Sequence, residues 1–265
     1  MAEVVQAINV PGAETMDRSG LEVLDTYGKG LYIKQTKRDC IQELLGCEAK
    51  TEFKISTLEE KDVDVLYTLE ESTFLWRFCC PACRPFDQPI TVGGQAGGPT
   101  LMNIKKPVSR PLAACQGCLC CCCCFNPPSM DFTDGTGKEL GRVTVPFFCC
   151  IPNIKLAGPD GNVDYHIHVP TCCGGVCVDC CAEGCCNCKV PFYVYKPDND
   201  KPKQEVGKII KLWQGMGTEL FTDADTFSLE FPDDADAAAK ARLLGTSIFI
   251  NFLFFEGKQQ ASPTG

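Results

Sequence analysis

The chain has only two histidines in 265 residues, and it shows neither a nucleophile elbow nor a phosphate-binding loop. Hydrolase and kinase readings therefore have little support. It has no compact Lys/Arg cluster either, and with a net charge of −9 and a pI near 4.8 its surface repels nucleic-acid phosphates. No nucleic-acid partner is expected. The same balance gives no general attraction to anionic lipid headgroups, so membrane attachment has to come from acyl chains, apolar surface or a bridging cation. The opening residues, MAEVVQAINVPGAETMDRSG, lack a basic n-region and an apolar h-region. We therefore expect the reducing cytosol, where disulfides rarely persist.

Cysteine, by contrast, is abundant, with 22 in all, five of them consecutive at Cys120, Cys121, Cys122, Cys123 and Cys124. No folded core needs such a run, so it is either chemically modified or metal-bound. Pairs recur where loop tips are expected: Cys79-Cys80, Cys149-Cys150, Cys172-Cys173, Cys180-Cys181 and Cys185-Cys186. Cys80-x-x-Cys83, Cys177-x-x-Cys180 and Cys185-x-x-Cys188 have the gap that turns two sulfurs toward one zinc. The last two pairs are only four residues apart, so a site would combine pairs from different loops, with Cys80, Cys83, Cys177 and Cys180 the first candidates. Acylation and free thiols remain open for the same residues. His166 and His168 share one strand face, which fits a solvated surface better than ligation.

Short alternating runs separated by Gly, Pro, Asn and Asp clusters predict a mostly β chain of antiparallel strands. The expected strands are Leu31–Lys34, Thr51–Ile55, Val63–Leu69, Leu101–Lys105, Gly141–Phe147, Val163–Val169, Val190–Tyr195, Val206–Leu212 and Thr226–Phe231. A closed barrel would pair all their edges. No composition shift marks a second domain, so a tail over 1–18, a barrel over 19–256 and a tail over 257–265 are expected.

Helix is confined to the end, where Pro232-Asp233-Asp234 supplies cap signals and 235–256 reads as a helix about 33 Å long. Leu243–Phe255 is thirteen residues without a charge, apolar on every face. Spanning hydrocarbon takes roughly 17–25 residues, so a core helix is favoured over a membrane span. Asn251 within the run, with Lys240 and Arg242 ahead of it, agrees.

Four segments stand out: Gly207-Lys208-Ile209-Ile210-Lys211-Leu212-Trp213-Gln214-Gly215, Phe221-Thr222-Asp223-Ala224-Asp225-Thr226-Phe227-Ser228-Leu229-Glu230-Phe231-Pro232, Phe249–Glu256 and Cys83-Arg84-Pro85-Phe86. Together they resemble the phospholipid scramblase family. The polycysteine block sits in the family's order. The chain departs from that pattern in lacking a long Pro-rich N-terminal extension, and in the extra cysteines of 172–188. The resemblance implies a closed antiparallel tubby-like β-barrel around the hydrophobic C-terminal helix, and S-palmitoylation of Cys120 to Cys124. One acyl chain, at roughly 0.8 kcal/mol per buried CH2, anchors only marginally, whereas adjacent cysteines provide two or more.

The resemblance also implies a calcium segment, which maps onto Asp223, Asp225 and Asp234. As an EF-hand loop it is poor, since Phe227 and Phe231 occupy ligand positions and Ser228 stands where the turn needs Gly. The competing reading is a strand with Phe227, Leu229 and Phe231 packed inward and Asp233 or Asp234 capping the helix. By resemblance the activity is calcium-stimulated, ATP-independent, bidirectional movement of phospholipids between leaflets, at the cytoplasmic face of the plasma membrane. A lipid transporter, not a chemical catalyst, is expected, with a phospholipid membrane as partner. Moving a headgroup across hydrocarbon needs a polar path or a bilayer defect, so a homo-oligomer is also expected. The alternative is a palmitoyl-tethered lipid-binding adaptor, which burial of Phe249–Phe255 would favour. A metal-storage or redox protein rests on the cysteine count alone.

Overall fold

Twelve antiparallel strands close on themselves around one helix in the computed structural model, which describes residues 20–37, 50–79, 81–109, 126–148, 152–169, 189–197, 204–212 and 225–256. The strands are β1 (Gly30–Lys37), β2 (Thr51–Thr57), β3 (Asp64–Leu69), β4 (Phe86–Val92), β5 (Thr100–Lys106), β6 (Ser129–Asp134), β7 (Glu139–Thr144), β8 (Asn153–Ala157), β9 (Val163–His168), β10 (Val190–Tyr195), β11 (Glu205–Leu212) and β12 (Thr226–Glu230). Each pairs with its neighbours in sequence, and β1 closes on β12 through Leu31 opposite Leu229 and Ile33 opposite Phe227. Alternation sets the inner face: Val190, Phe192 and Val194 of β10 are buried while the residues between them are half-buried.

All nine expected strands exist, with no end moved by more than three residues. Three were not expected. β4 contains Pro89, which reads as a breaker but sits one residue before Ile90, where the ladder to β3 begins. β6 follows Pro127-Pro128 closely, and β8 is only five residues long. Three short helical segments among the described residues were also unexpected, a turn at Val23–Thr26, the helix Phe74–Cys79 and a 3-10 turn at Pro81–Cys83.

The C-terminal helix, Ala237–Phe254, is the barrel's core, with 78% of its residues buried. It is long and apolar enough by composition to cross a membrane, yet its apolar faces all meet the strands. Burying each of Leu243, Leu244, Ile248, Phe249 and Ile250 contributes about 1.5–3 kcal/mol. Its N-cap is Asp236, whose Oδ1 accepts from the Ala239 amide at 2.7 Å, so neither Asp233 nor Asp234 caps it. Thr246 and Ser247 are buried because their hydroxyls donate back to the carbonyls of Arg242 and Leu243. Gly245 allows the closest approach to the wall. A Cβ there would lie 2.4 Å from the Phe132 ring of β6.

The topology sorts the connections onto two rims. Segments 38–50, 70–85, 107–128, 145–152, 169–189 and 213–225 all link strand ends at one rim, and the remaining turns lie at the other. All 22 cysteines fall in segments of the first rim, and no strand contains one.

Candidate functional site

At the cysteine rim the C-terminal helix ends in a buried ionic clamp. Arg84 Nε and Nη2 donate to Glu70 Oε1 and Oε2, both at 2.8 Å, and Nη2 also donates to Glu256 Oε1 at 2.6 Å. Arg84 and Glu70 are each 1% exposed. Thr51 donates its hydroxyl to the same Glu256 oxygen. The guanidinium lies over the Phe252 ring, 5.2 Å from its centroid, and 5.6 Å from that of Phe86. Lys106 completes the cluster, donating to the Arg84 carbonyl at 2.8 Å and sitting 4.6 Å from the Phe252 centroid.

The charges do not share this space equally. Burial alone would raise the Glu70 carboxyl, but the bidentate hydrogen bond and charge of Arg84 pull it below its ordinary value. For Glu256, burial dominates and the Glu70 charge adds to it, so its carboxyl is pushed up despite Arg84. Burial and the Arg84 charge lower the Lys106 amine to about 8.

Next to the clamp, Lys211 Nζ pairs with Asp225 Oδ1 at 2.8 Å and lies 4.2 Å from the Phe255 centroid. Arg84, Lys211, Asp225 and Phe255-Glu256 come from four separate sequence segments, which therefore converge on one structure: the lock that keeps the helix end inside the barrel. The helix start is held in the same way, by Arg242 donating to the Leu140 carbonyl at 3.1 Å and to Asp164 Oδ2 at 2.7 Å. Both arginines are ionic staples between helix and wall, each with its charge inside the fold.

The calcium candidates do not converge among the described residues. Asp225 precedes β12 at the cysteine rim and is bound to Lys211, whereas Asp234 follows β12 at the opposite rim and pairs with Lys196. The five-residue strand between them spans about 17 Å. Phe227, Leu229 and Phe231 point into the core, as the strand reading required. Asp223 lies outside the described residues. Cys83 is half-buried, while Cys80, Cys177, Cys180 and Cys120 to Cys124 lie outside the described residues. No three His, Cys, Asp or Glu side chains gather as a metal site among the described residues. His166 and His168 stack on the barrel exterior, with ring centroids 6.3 Å apart.

Beside the clamp a cavity of about 630 Å³ opens between Trp76, Pro107, Lys50, Lys105, Glu71 and Asp87. Sequence reasoning named Arg84 only as part of a motif and missed Glu70, Thr51 and Lys106. A buried charge inside an otherwise apolar strand pattern, as at Lys106 and Lys211, was the available signal.

The sequence profile of the family described as Scramblase matches residues 10–257. Phospholipid scramblase 2 of Bos taurus is 29% identical over 238 residues, covering 89% of this chain and 71% of the relative. Phospholipid scramblase 1 of Mus musculus is 30% identical over 238 residues, 89% of this chain and 64% of the relative. Phospholipid scramblase 1 of Homo sapiens is 29% identical over 237 residues, 89% and 66% respectively. The chain thus spans about two thirds of the length of these relatives. No solved structure matches it.

Proposed function

This chain belongs to the scramblase family, and from that membership we propose that it moves phospholipids between membrane leaflets. The movement is bidirectional and energy-independent, and calcium stimulates it. The observation that carries the reading is the family match, which runs through the barrel, the clamp and the C-terminal helix. The work is lipid transport, not bond chemistry, with a phospholipid bilayer as substrate and partner. The protein acts at the cytoplasmic face of the plasma membrane, held by acyl chains on Cys120 to Cys124.

Because the helix is enclosed, lipid passage comes from a bilayer defect under the bound barrels, not from a span made by one helix. Several barrels on one patch enlarge that defect, so the active form is an oligomer. Calcium reaching Asp223 and Asp225 has to displace Lys211, which makes binding weak and couples it to the lock around Phe255. Zinc on Cys80, Cys83, Cys177 and Cys180 would be a separate, structural role.

Enclosure of the helix supports the second reading, a tethered lipid-binding adaptor. The relatives' names support transport. Reconstitution separates them: inner-leaflet fluorescent phospholipid loses protection from an impermeant quencher if the protein flips lipid. We expect flipping that scales with protein copies per vesicle, rises with calcium and loses its calcium response in Asp223→Ala, Asp225→Ala. No flipping by folded, acylated protein leaves the adaptor.

A further inference from the structure

The helix Phe74–Cys79 is inverted relative to an ordinary surface helix. Its one charged residue, Arg77, is 5% exposed and donates to the Ser72 carbonyl at 2.7 Å and its hydroxyl at 2.8 Å. Its apolar residues face solvent: Phe74 is 55% exposed, Leu75 70% and Phe78 59%. Phe74 and Phe78, one turn apart, stack with centroids 6.1 Å apart. Such side chains are normally covered by something.

The rest of the rim indicates what covers them. Val108 and Phe147 are exposed on the same rim, and Val63 is the one large exposed hydrophobic at the other rim among the described residues. Trp76 lines the same cavity as Pro107, the first residue of the segment that carries Cys120 to Cys124. Every thiol that could accept an acyl chain is in a segment of this rim. Exposed Lys50 and Lys105 line the cavity, with Glu71 and Asp87 between them, and Lys189 is exposed on the same rim. The opposite rim is acidic on balance: exposed Glu59, Glu60, Asp62, Asp160, Asp233 and Asp234 outnumber exposed Lys29, Lys61, Lys138 and Lys196, so anionic lipid is repelled there. Apolar side chains flanked by lysines, with an aromatic at the boundary, are the chemistry of a bilayer interface.

We propose that the cysteine rim is the membrane-docking face, with Phe74, Leu75 and Phe78 entering the acyl region of a phospholipid bilayer and Lys50 and Lys105 meeting headgroup phosphates. The barrel then stands end-on, its acidic rim away from the membrane. The assignment rests on the membrane-bound reading of the protein but not on transport.

The test uses the full, unacylated chain and vesicles of 70% phosphatidylcholine and 30% phosphatidylserine, read by flotation. Phe74→Ser, Leu75→Ser, Phe78→Ser together should weaken partitioning at least tenfold, and Val63→Ser should leave it unchanged. In a Trp213→Phe background, Trp76 emission should shift blue and be quenched by lipids brominated near the headgroup end of the acyl chains. Trp76 quenching decides the matter if the triple variant fails to fold. Unchanged binding of a folded triple variant, no binding by the wild type, an equal loss in Val63→Ser, or an unquenched Trp76 would each overturn the proposal. So would wild-type self-association that the triple variant abolishes, which assigns the patch to a second copy. Docking without flipping removes only the transport reading; flipping with undiminished docking of the triple variant removes only this one.

Discussion

Replacing Arg84 by Ala should be among the most damaging single changes to this fold. The substitution removes three hydrogen bonds of 2.6–2.8 Å and leaves Glu70 and Glu256 facing each other without their shared cation. Breaking a buried ion pair by deleting one partner costs about 3–5 kcal/mol, against a total stability of roughly 5–15 kcal/mol for a domain. Contact with the Phe252 and Phe86 rings is lost as well. In urea, at a slope of about 3 kcal/mol per M, the midpoint should fall by about 1–1.7 M. Arg84→Lys should not restore it, because an ammonium cannot make the bidentate pair with Glu70. Glu256→Gln should cost less, about 1–2 kcal/mol, since burial already favours the uncharged carboxyl. The acid limb gives a second reading. Glu70 is lowered from 4.5, so its stabilisation is complete above that value and lost as pH falls through the folded-state value. Glu256, raised from 4.5, works in the opposite sense. The Glu70 limb should flatten in Arg84→Ala. A midpoint shift worth less than about 1 kcal/mol would refute the clamp as the lock on the helix end.

Three further outcomes follow from the same geometry. Lys106 is lowered from 10.5 to about 8 by burial first and the Arg84 charge second, so the folded state disfavours its proton. Wild-type stability should therefore rise between about pH 8 and 10.5 relative to Lys106→Met, by up to about 3 kcal/mol, in denaturant titrations at stepped pH. Gly245→Ala should destabilise by about 1–3 kcal/mol despite better helix propensity, because the added carbon meets the buried Phe132 ring; a raised thermal midpoint would contradict the packing. Asn251 Oδ1 is buried with no hydrogen-bond partner among the described residues, so Asn251→Leu should add about 1 kcal/mol in urea unfolding, and a loss would mean the amide is satisfied.

The barrel was legible because alternation survives in nine of its strands, and β10 was bounded to the residue. The other strands were hidden by local chemistry: Pro89 inside β4, and short runs beside prolines at β6 and β8. The helix was found by its uncharged run, but its start was misplaced because Pro232-Asp233-Asp234 forms a turn and Asp236 does the capping. The clamp could not be read in advance. Glu70, Arg84, Lys106 and Glu256 are scattered over the chain, and only closure of the barrel brings them together. Sequence showed that cysteines cluster, whereas the strand order shows that every cysteine-bearing segment connects strand ends of the same rim.

If the barrel stays closed around its C-terminal helix while the protein is on a membrane, the chain after the helix stays on the barrel's side of the bilayer. A protease-accessible tag after Gly265, on protein bound to flipping-competent vesicles, tests it directly. External protease should then remove the tag along with the barrel, since both lie on one side. A tag that stays protected until the vesicles are lysed, with the barrel digested, would show instead that the helix has left the barrel and crossed the bilayer.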